Sequence, residues 1–295
     1  MDLCDIQEIK ALLNRHGFHF SKSLGQNFLI EGWVPRDIAA ASGAGPGTGV
    51  LEIGPGIGPL TVELAKRADR VAAVELDRDL LPILAETLGD RPNVTVVPGD
   101  VMKLDLPALA AEQFSGLTPM VCANLPYNIT TPVLTLLLEG GLFSVITVMI
   151  QKEVAQRICA GPGSKDYGAF SVLCQYYAKT EFLFEVPREC FLPAPKVTSA
   201  VVRLTCQEPP ECVRDKELFF RVVRGAFGLR RKTLLNALYA AFPLSKEELA
   251  GCISAAGLPA DVRGERLGIP EFAALADQVG KGLSGQSKKR EGNGA

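Results

Sequence analysis

Val50-Leu51-Glu52-Ile53-Gly54-Pro55-Gly56-Ile57-Gly58-Pro59 reads as a short apolar strand that breaks into a glycine-rich turn and then enters a helix. Glycines in such a turn let the backbone approach a ligand closely. Working outward, further apolar strands are predicted at 71–74, 94–97, 120–123 and 145–150. They alternate with helices predicted at 59–66, 78–88, 106–113, 132–138 and 152–160. Continuous apolar strands separated by helices predict an α/β fold with a mostly parallel sheet covered on both faces. Ligands of such sheets bind at the carboxyl ends of the strands.

The pattern changes after Ala160. A helix is expected at 169–178, and β-rich runs at 182–186 and 197–204 complete the sheet. The run Gln207-Glu208-Pro209-Pro210-Glu211 reads as a linker. Helices are expected at 217–227, 231–241, 246–255 and 270–279, and the Gly/Ser/Lys-rich end reads as disordered. The expected organisation is therefore a catalytic domain over 1–206, a small helical domain over 207–280 and a tail over 281–295.

Composition narrows the function classes. The 295 residues are 47% hydrophobic and 22% charged, as in a soluble globular protein, and no apolar run has the roughly 18 residues of a membrane span. The acidic N-terminus carries no secretory pattern, so a cytoplasmic location is expected. The net charge of −2 excludes a chain that coats nucleic acid by charge alone. From Cys206 onward, however, 14 Lys and Arg face 11 Asp and Glu, so a polyanion would meet local basic patches. None of the eight cysteines forms a Cys-x-x-Cys pair, and most sit in apolar surroundings, as structural thiols do. His16 and His19 are the only histidines, and no metal site is expected.

Gly54, Gly56 and Gly58 lack the further glycine that a dinucleotide fingerprint needs, because that position is Pro59. This disfavours a pyrophosphate and favours S-adenosylmethionine as methyl donor. Glu75 ends the second strand, where a carboxylate can accept both hydroxyls of a ribose. Asp100 follows the third strand and can accept from an adenine amino group or cap a turn. Asp77 and Asp79 read as helix-start charges.

Asn124-Leu125-Pro126-Tyr127 follows the fourth strand at the same rim. The Asn124 amide oxygen and a backbone carbonyl from the residues that follow can accept hydrogen bonds from the two N–H groups of an exocyclic amine. Drawn towards tetrahedral geometry, the nitrogen lone pair is released from the ring and becomes nucleophilic. Positioning by neutral acceptors then has to supply most of the rate. Tyr127 can stack on a base. The run Phe191-Leu192-Pro193-Ala194-Pro195-Lys196-Val197 presents a second aromatic on a proline-stiffened loop. Phe191 reads either as the opposite wall of a base sandwich or as a core anchor, and Lys196 as a phosphate contact.

These segments, with Lys22 to Leu29, Gln151 to Val154 and Gly228 to Leu234, resemble the small-subunit ribosomal RNA adenine N6,N6-dimethyltransferases, the kasugamycin-sensitivity type. The resemblance runs from Lys22 to about Leu267. It implies a Rossmann-like methyltransferase sheet of seven strands, one antiparallel, with a C-terminal helical domain. It implies cofactor contacts from Asn27, Leu29, Gly54, Gly56, Glu75, Asp100 and Asn124, and a base held by Asn124, Leu125, Tyr127 and Phe191. The implied substrate is a pair of adjacent adenosines in a hairpin loop near the 3′ end of small-subunit rRNA, met on a 30S assembly intermediate; a monomer is expected by default. Lys22, Lys196, Arg221, Arg224, Arg230, Arg231 and Lys232 are the candidate RNA phosphate contacts. Competing readings are a large-subunit adenine methyltransferase of the macrolide-resistance type, a non-catalytic RNA-binding assembly factor, and a small-molecule methyltransferase.

Overall fold

The computed structural model describes residues 1–20 and 25–292. Its elements in chain order are α1 (Ile6–Arg15), β1 (Phe28–Leu29), α2 (Trp33–Ala41), β2 (Thr48–Ile53), α3 (Pro59–Ala65), β3 (Arg70–Glu75), α4 (Leu81–Leu88), β4 (Val94–Pro98) and α5 (Leu106–Gln113). They continue with β5 (Thr118–Asn124), α6 (Thr130–Gly140), β6 (Val145–Gln151), α7 (Lys152–Cys159), α8 (Ala169–Tyr177), β7 (Ala178–Val186), β8 (Phe191–Leu192) and β9 (Ser199–Cys206). The remaining helices are α9 (Lys216–Gly228), α10 (Leu234–Ala241), α11 (Lys246–Ala255) and α12 (Ile269–Gly292).

Seven strands form one sheet in the order β4-β3-β2-β5-β6-β9-β7. All neighbours are parallel except those of β9, which runs antiparallel to both β6 and β7. The order turns back at β2 and β5, so the carboxyl ends of these strands open the crevice that receives ligands in such sheets. Cores on the sheet include Val34, Ile38, Val50, Leu64, Val71, Cys122 and Val201 in one cluster, and Ile9, Leu12, Ile57, Ile83 and Leu84 in another. β1 and β8 form a separate two-stranded ladder, with Leu29 opposite Phe191. Two residues per strand give no alternation to read, and the sequence predicts neither.

The chain divides into two compact units, Met1–Gln156 with Ala178–Gln207, and Arg157–Tyr177 with Glu208–Ala295. Placing 1–206 in one domain therefore leaves out a finding: residues 157–177 belong to the helical unit. There Tyr167 is buried and donates its hydroxyl to the Leu267 carbonyl at 3.0 Å, while Tyr176 lies 5.0 Å from the ring of Phe220. A long-range hydrogen bond and ring packing decide the placement, and neither is visible in local pattern. Helix α12 also continues through 281 to Gly292, where composition predicts an irregular tail. Among the described residues no helix is long and apolar enough to cross a membrane.

Candidate functional site

A cleft at the carboxyl rim of β2, β3, β4 and β5 is lined by Asn27, Leu29, Gly54, Gly56, Glu75, Asp100, Asn124, Leu125, Tyr127 and Phe191, among others. Every residue that the sequence proposes for cofactor or base therefore lines one cleft, which lies wholly within the sheet-bearing unit.

The glycine-turn end of the cleft is shaped by backbone. Gly54, Gly56 and Gly58 have φ of +68°, +62° and +96°, the left-handed region where a side chain is strained. At Gly58 a Cβ would also meet Leu88 at 3.0 Å. The turn is closed by Gly58 N–H donating to the Pro55 carbonyl and by Gly54 N–H donating to that of Val74, both at 2.9 Å. Pro59 then occupies the first turn of α3, where its missing N–H costs nothing.

Glu75 is buried at the end of β3. Its Oε1 accepts Asp77 N–H at 2.8 Å and its Oε2 accepts Gly56 N–H at 3.4 Å. Burial pushes its carboxyl up, and the Asp77 and Gly56 amides oppose that rise. Each oxygen accepts one such amide and keeps a second lone pair for a ligand hydroxyl. Asp100 acts as the turn cap that one of its sequence readings expects, its Oδ1 accepting Met102 N–H at 3.0 Å, and it also lines the cleft. Asp77 caps a short 3₁₀ turn through Asp79 N–H, as its position predicts. Asn27 donates to the Gly25 carbonyl at 2.9 Å, and Leu29 is buried against β8.

Sequence reasoning treats Glu52 only as the start of the turn. In the structure it is 1% exposed, lines the cleft, and carries an Oε2 with no hydrogen-bond partner among the described residues. Burial pushes its carboxyl up to about 8, with the Thr61 hydroxyl opposing and the Glu75 charge adding. The available signal was a charge inside an otherwise apolar strand.

The Asn124 end of the cleft combines side chains with one backbone carbonyl. Leu125 N–H donates to the Met149 carbonyl at 3.1 Å, anchoring the turn to β6. Among the described residues, the Asn124 side-chain amide has no hydrogen bond, and no backbone donor reaches the Leu125 carbonyl. Two acceptors thus remain unengaged at the rim. Tyr127 is half-buried, and its hydroxyl lies 2.6 Å from that of Ser199. Phe191 is a core residue, 3% exposed within a core cluster, that also faces the cleft.

The basic candidates separate. Lys22 lies outside the described residues. Lys196 is exposed on the loop before β9. In the helical unit, Arg221 and Arg224 line a groove with Leu229, Ala237 and Phe242, and the Arg221 guanidinium sits 5.2 Å from the Phe242 ring. The run 230–232 does not begin a helix, as the sequence reading expects. It forms the turn between α9 and α10, and α10 starts only at Leu234. Three adjacent cations would oppose the positive end of a helix dipole. Arg230 is tied to Glu265 at 3.5 Å and donates to the Lys165 carbonyl, whereas Arg231 and Lys232 are exposed with no ion pair among the described residues.

The eight cysteines are free thiols, four of them buried. His16 pairs with Glu86 at 2.7 Å.

A sequence model of the ribosomal RNA adenine dimethylase family matches residues 17–257. The ribosomal RNA small subunit methyltransferase A of Clostridium perfringens is 47% identical over 95% of this chain and 99% of its own. The protein of that name from Geobacillus thermodenitrificans is 48% identical over 94% and 97%. Among solved structures, the 23S rRNA methyltransferase ErmE aligns with a TM-score of 0.67 at 26% identity, covering 85% of this chain and 99% of its own. A dimethyladenosine transferase from Plasmodium falciparum aligns with a TM-score of 0.72 at 24% identity, over 86% and 97%, a likeness of fold. A cleft that joins a glycine turn to the Asn124-Leu125-Pro126-Tyr127 turn, on a seven-stranded sheet with one reversed strand, agrees with these matches: the chain belongs to the ribosomal RNA adenine dimethylase family.

Proposed function

We propose that this chain uses S-adenosylmethionine to dimethylate N6 of two adjacent adenosines in a hairpin loop near the 3′ end of small-subunit rRNA. The observation that carries the proposal is the pair of unengaged acceptors, the Asn124 amide and the Leu125 carbonyl, in the same cleft as the glycine turn.

The donor end fits S-adenosylmethionine on its own features. Glu75 offers a ribose two oxygens already oriented by backbone amides. Asp100 stands at the next strand end for an adenine amino group. The orphaned Glu52 Oε2 supplies a partner for a cationic group above a turn that no side chain fills. When bound, the cofactor supplies a methyl group made electrophilic by its positive sulfur. Everything else falls to the chain. Tyr127 and Phe191 hold the purine between rings, which stacking makes favourable for an extruded base. Asn124 and Leu125 accept hydrogen bonds from the two amine N–H groups and turn the nitrogen lone pair out of conjugation with the ring. After transfer one proton leaves to solvent, and the remaining one keeps an acceptor for the second round.

Outside the cleft, exposed Lys196, Arg224, Arg231 and Lys232 supply phosphate contacts, and Arg221 adds a charge beside an aromatic ring. Recognition then rests on RNA shape and a splayed-out base rather than on groove reading. The substrate is an assembling 30S particle in the cytoplasm, and the enzyme acts as a monomer.

The test is to incubate the protein with labelled S-adenosylmethionine and unmethylated 30S particles, then map the label by mass spectrometry. Two neighbouring adenosines carrying two methyl groups each are expected. Label confined to large-subunit RNA, or none in rRNA, overturns the proposal.

A further inference from the structure

Ser199 has no place in the sequence reading, yet its surroundings are specific. It opens β9 with its side chain fully buried, and the strand continues as Ala200-Val201-Val202. A hydroxyl in such a strand costs stability unless it is hydrogen-bonded. Its partner is the Tyr127 hydroxyl, 72 residues away in sequence and 2.6 Å away in space. Ser199 is itself held on both sides. It pairs with Gln151 of β6 and with Val186 of β7, and the Thr198 carbonyl before it accepts Lys152 N–H at 3.0 Å. The Tyr127 ring thus projects from a single 3₁₀ turn, Tyr127–Ile129, but its far end is moored to three strands of the sheet.

The opposite aromatic is fixed differently. Phe191 pairs with Leu29 in the β1–β8 ladder and packs into the core, eight residues before Ser199. One wall is held by packing and the other by a hydrogen bond to the strand that the Phe191 loop feeds. Burial raises the Tyr127 phenol and the Ser199 bond opposes that rise, so the hydroxyl stays neutral and able to donate.

We infer that Ser199 is a positioning residue for methyl transfer: by holding the Tyr127 hydroxyl it sets the tilt of the tyrosine ring, and so the width of the slot between Tyr127 and Phe191 that admits the target base. This inference rests on the base-stacking reading given above. Removing the bond leaves the cofactor end untouched, because neither hydroxyl belongs to the glycine turn, Glu75 or Asp100. It lets the ring swing about two side-chain torsions.

The experiment compares Ser199→Ala, Tyr127→Phe, the double variant and Tyr127→Ala. Single-turnover methylation is measured at saturating cofactor and RNA, together with cofactor affinity. Fluorescence of RNA carrying 2-aminopurine at the target position reports stacking. Ser199→Ala and Tyr127→Phe should each slow transfer about tenfold and reduce quenching of the probe, with cofactor affinity unchanged. The double variant should lose no more than either single, since both remove one bond. Parental rates and quenching in both singles, or losses that add in the double, overturn the inference. If Tyr127→Ala is inactive in that case, the stacking reading stands without it. If Tyr127→Ala transfers methyl at the parental rate, the stacking reading falls and takes this inference with it.

Discussion

The two ends of the cleft are made differently. The donor end is backbone: three glycines at positive φ, and a buried glutamate gripped by two amides. The Asn124 end is mostly side chain: an amide with no hydrogen bond among the described residues, beside the Leu125 carbonyl, a tyrosine moored at its tip, and a phenylalanine borrowed from the core. A backbone site is set once the chain folds and accepts a single ligand shape. On the proposed function, the acceptors at the Asn124 end stay free until substrate arrives, and so can act on the reacting nitrogen. The difference separates binding from chemistry, and substitutions at the two ends should break different quantities.

The largest effect is expected at Asn124. Asn124→Ala should lower the methylation rate at saturating cofactor by about 10³-fold, within the range for losing one aligned polar group at a reacting centre, with RNA affinity nearly unchanged. Rapid-quench assays beside binding titrations check this, and near-parental turnover would move the amine acceptor elsewhere. Glu75→Gln should do the reverse. Cofactor affinity should fall roughly 100-fold, the loss of charge-assisted hydrogen bonds to a ribose, while the rate at saturation stays close to parental. Equilibrium dialysis reads it, and a loss confined to the saturated rate would erase the distinction between the two ends.

Glu52 sharpens the comparison through pH. Its folded carboxyl titrates near 8, above its unfolded value, so the folded state binds the extra proton. Its stabilising share is complete at low pH and is lost as pH rises towards 8. On the order of 2 kcal/mol of ligand-free stability should therefore disappear between pH 6 and 8, and Glu52→Gln should remove that slope. Denaturant titrations across the range test this, and equal slopes in parent and variant would show that burial does not hold the proton. The smallest effect lies outside the cleft. Arg231→Ala with Lys232→Ala should weaken RNA binding several-fold and reduce its salt slope by about 2. Adding Arg230→Ala should change the slope little, because Arg230 is already paired with Glu265. A slope that drops by a further unit would return Arg230 to the interface.

How legible each part was follows from the range of the interaction behind it. The strands of the parallel sheet were readable because burial on both faces demands unbroken apolar runs, as in Val145 to Ile150. The glycine turn and the Asn124 turn were readable because each is set by residues within a few positions. Ser199 was not, since its partner is 72 residues distant. Glu52 was hidden because spacing does not say whether a strand charge points to water or into a cleft. The basic run was misplaced onto a helix because periodicity extends past the point where Thr233 and the following Leu234 begin α10.

The central claim is that neutral acceptors, and no titrating base, make the amine reactive. It is tested most directly by the pH dependence of single-turnover methylation at saturating cofactor and RNA, in the parent and in Glu52→Gln. The account predicts rates that are flat from pH 6 to 9 in both proteins. A rate that climbs tenfold per pH unit and levels near neutrality, in either protein, would reveal a general base and contradict it.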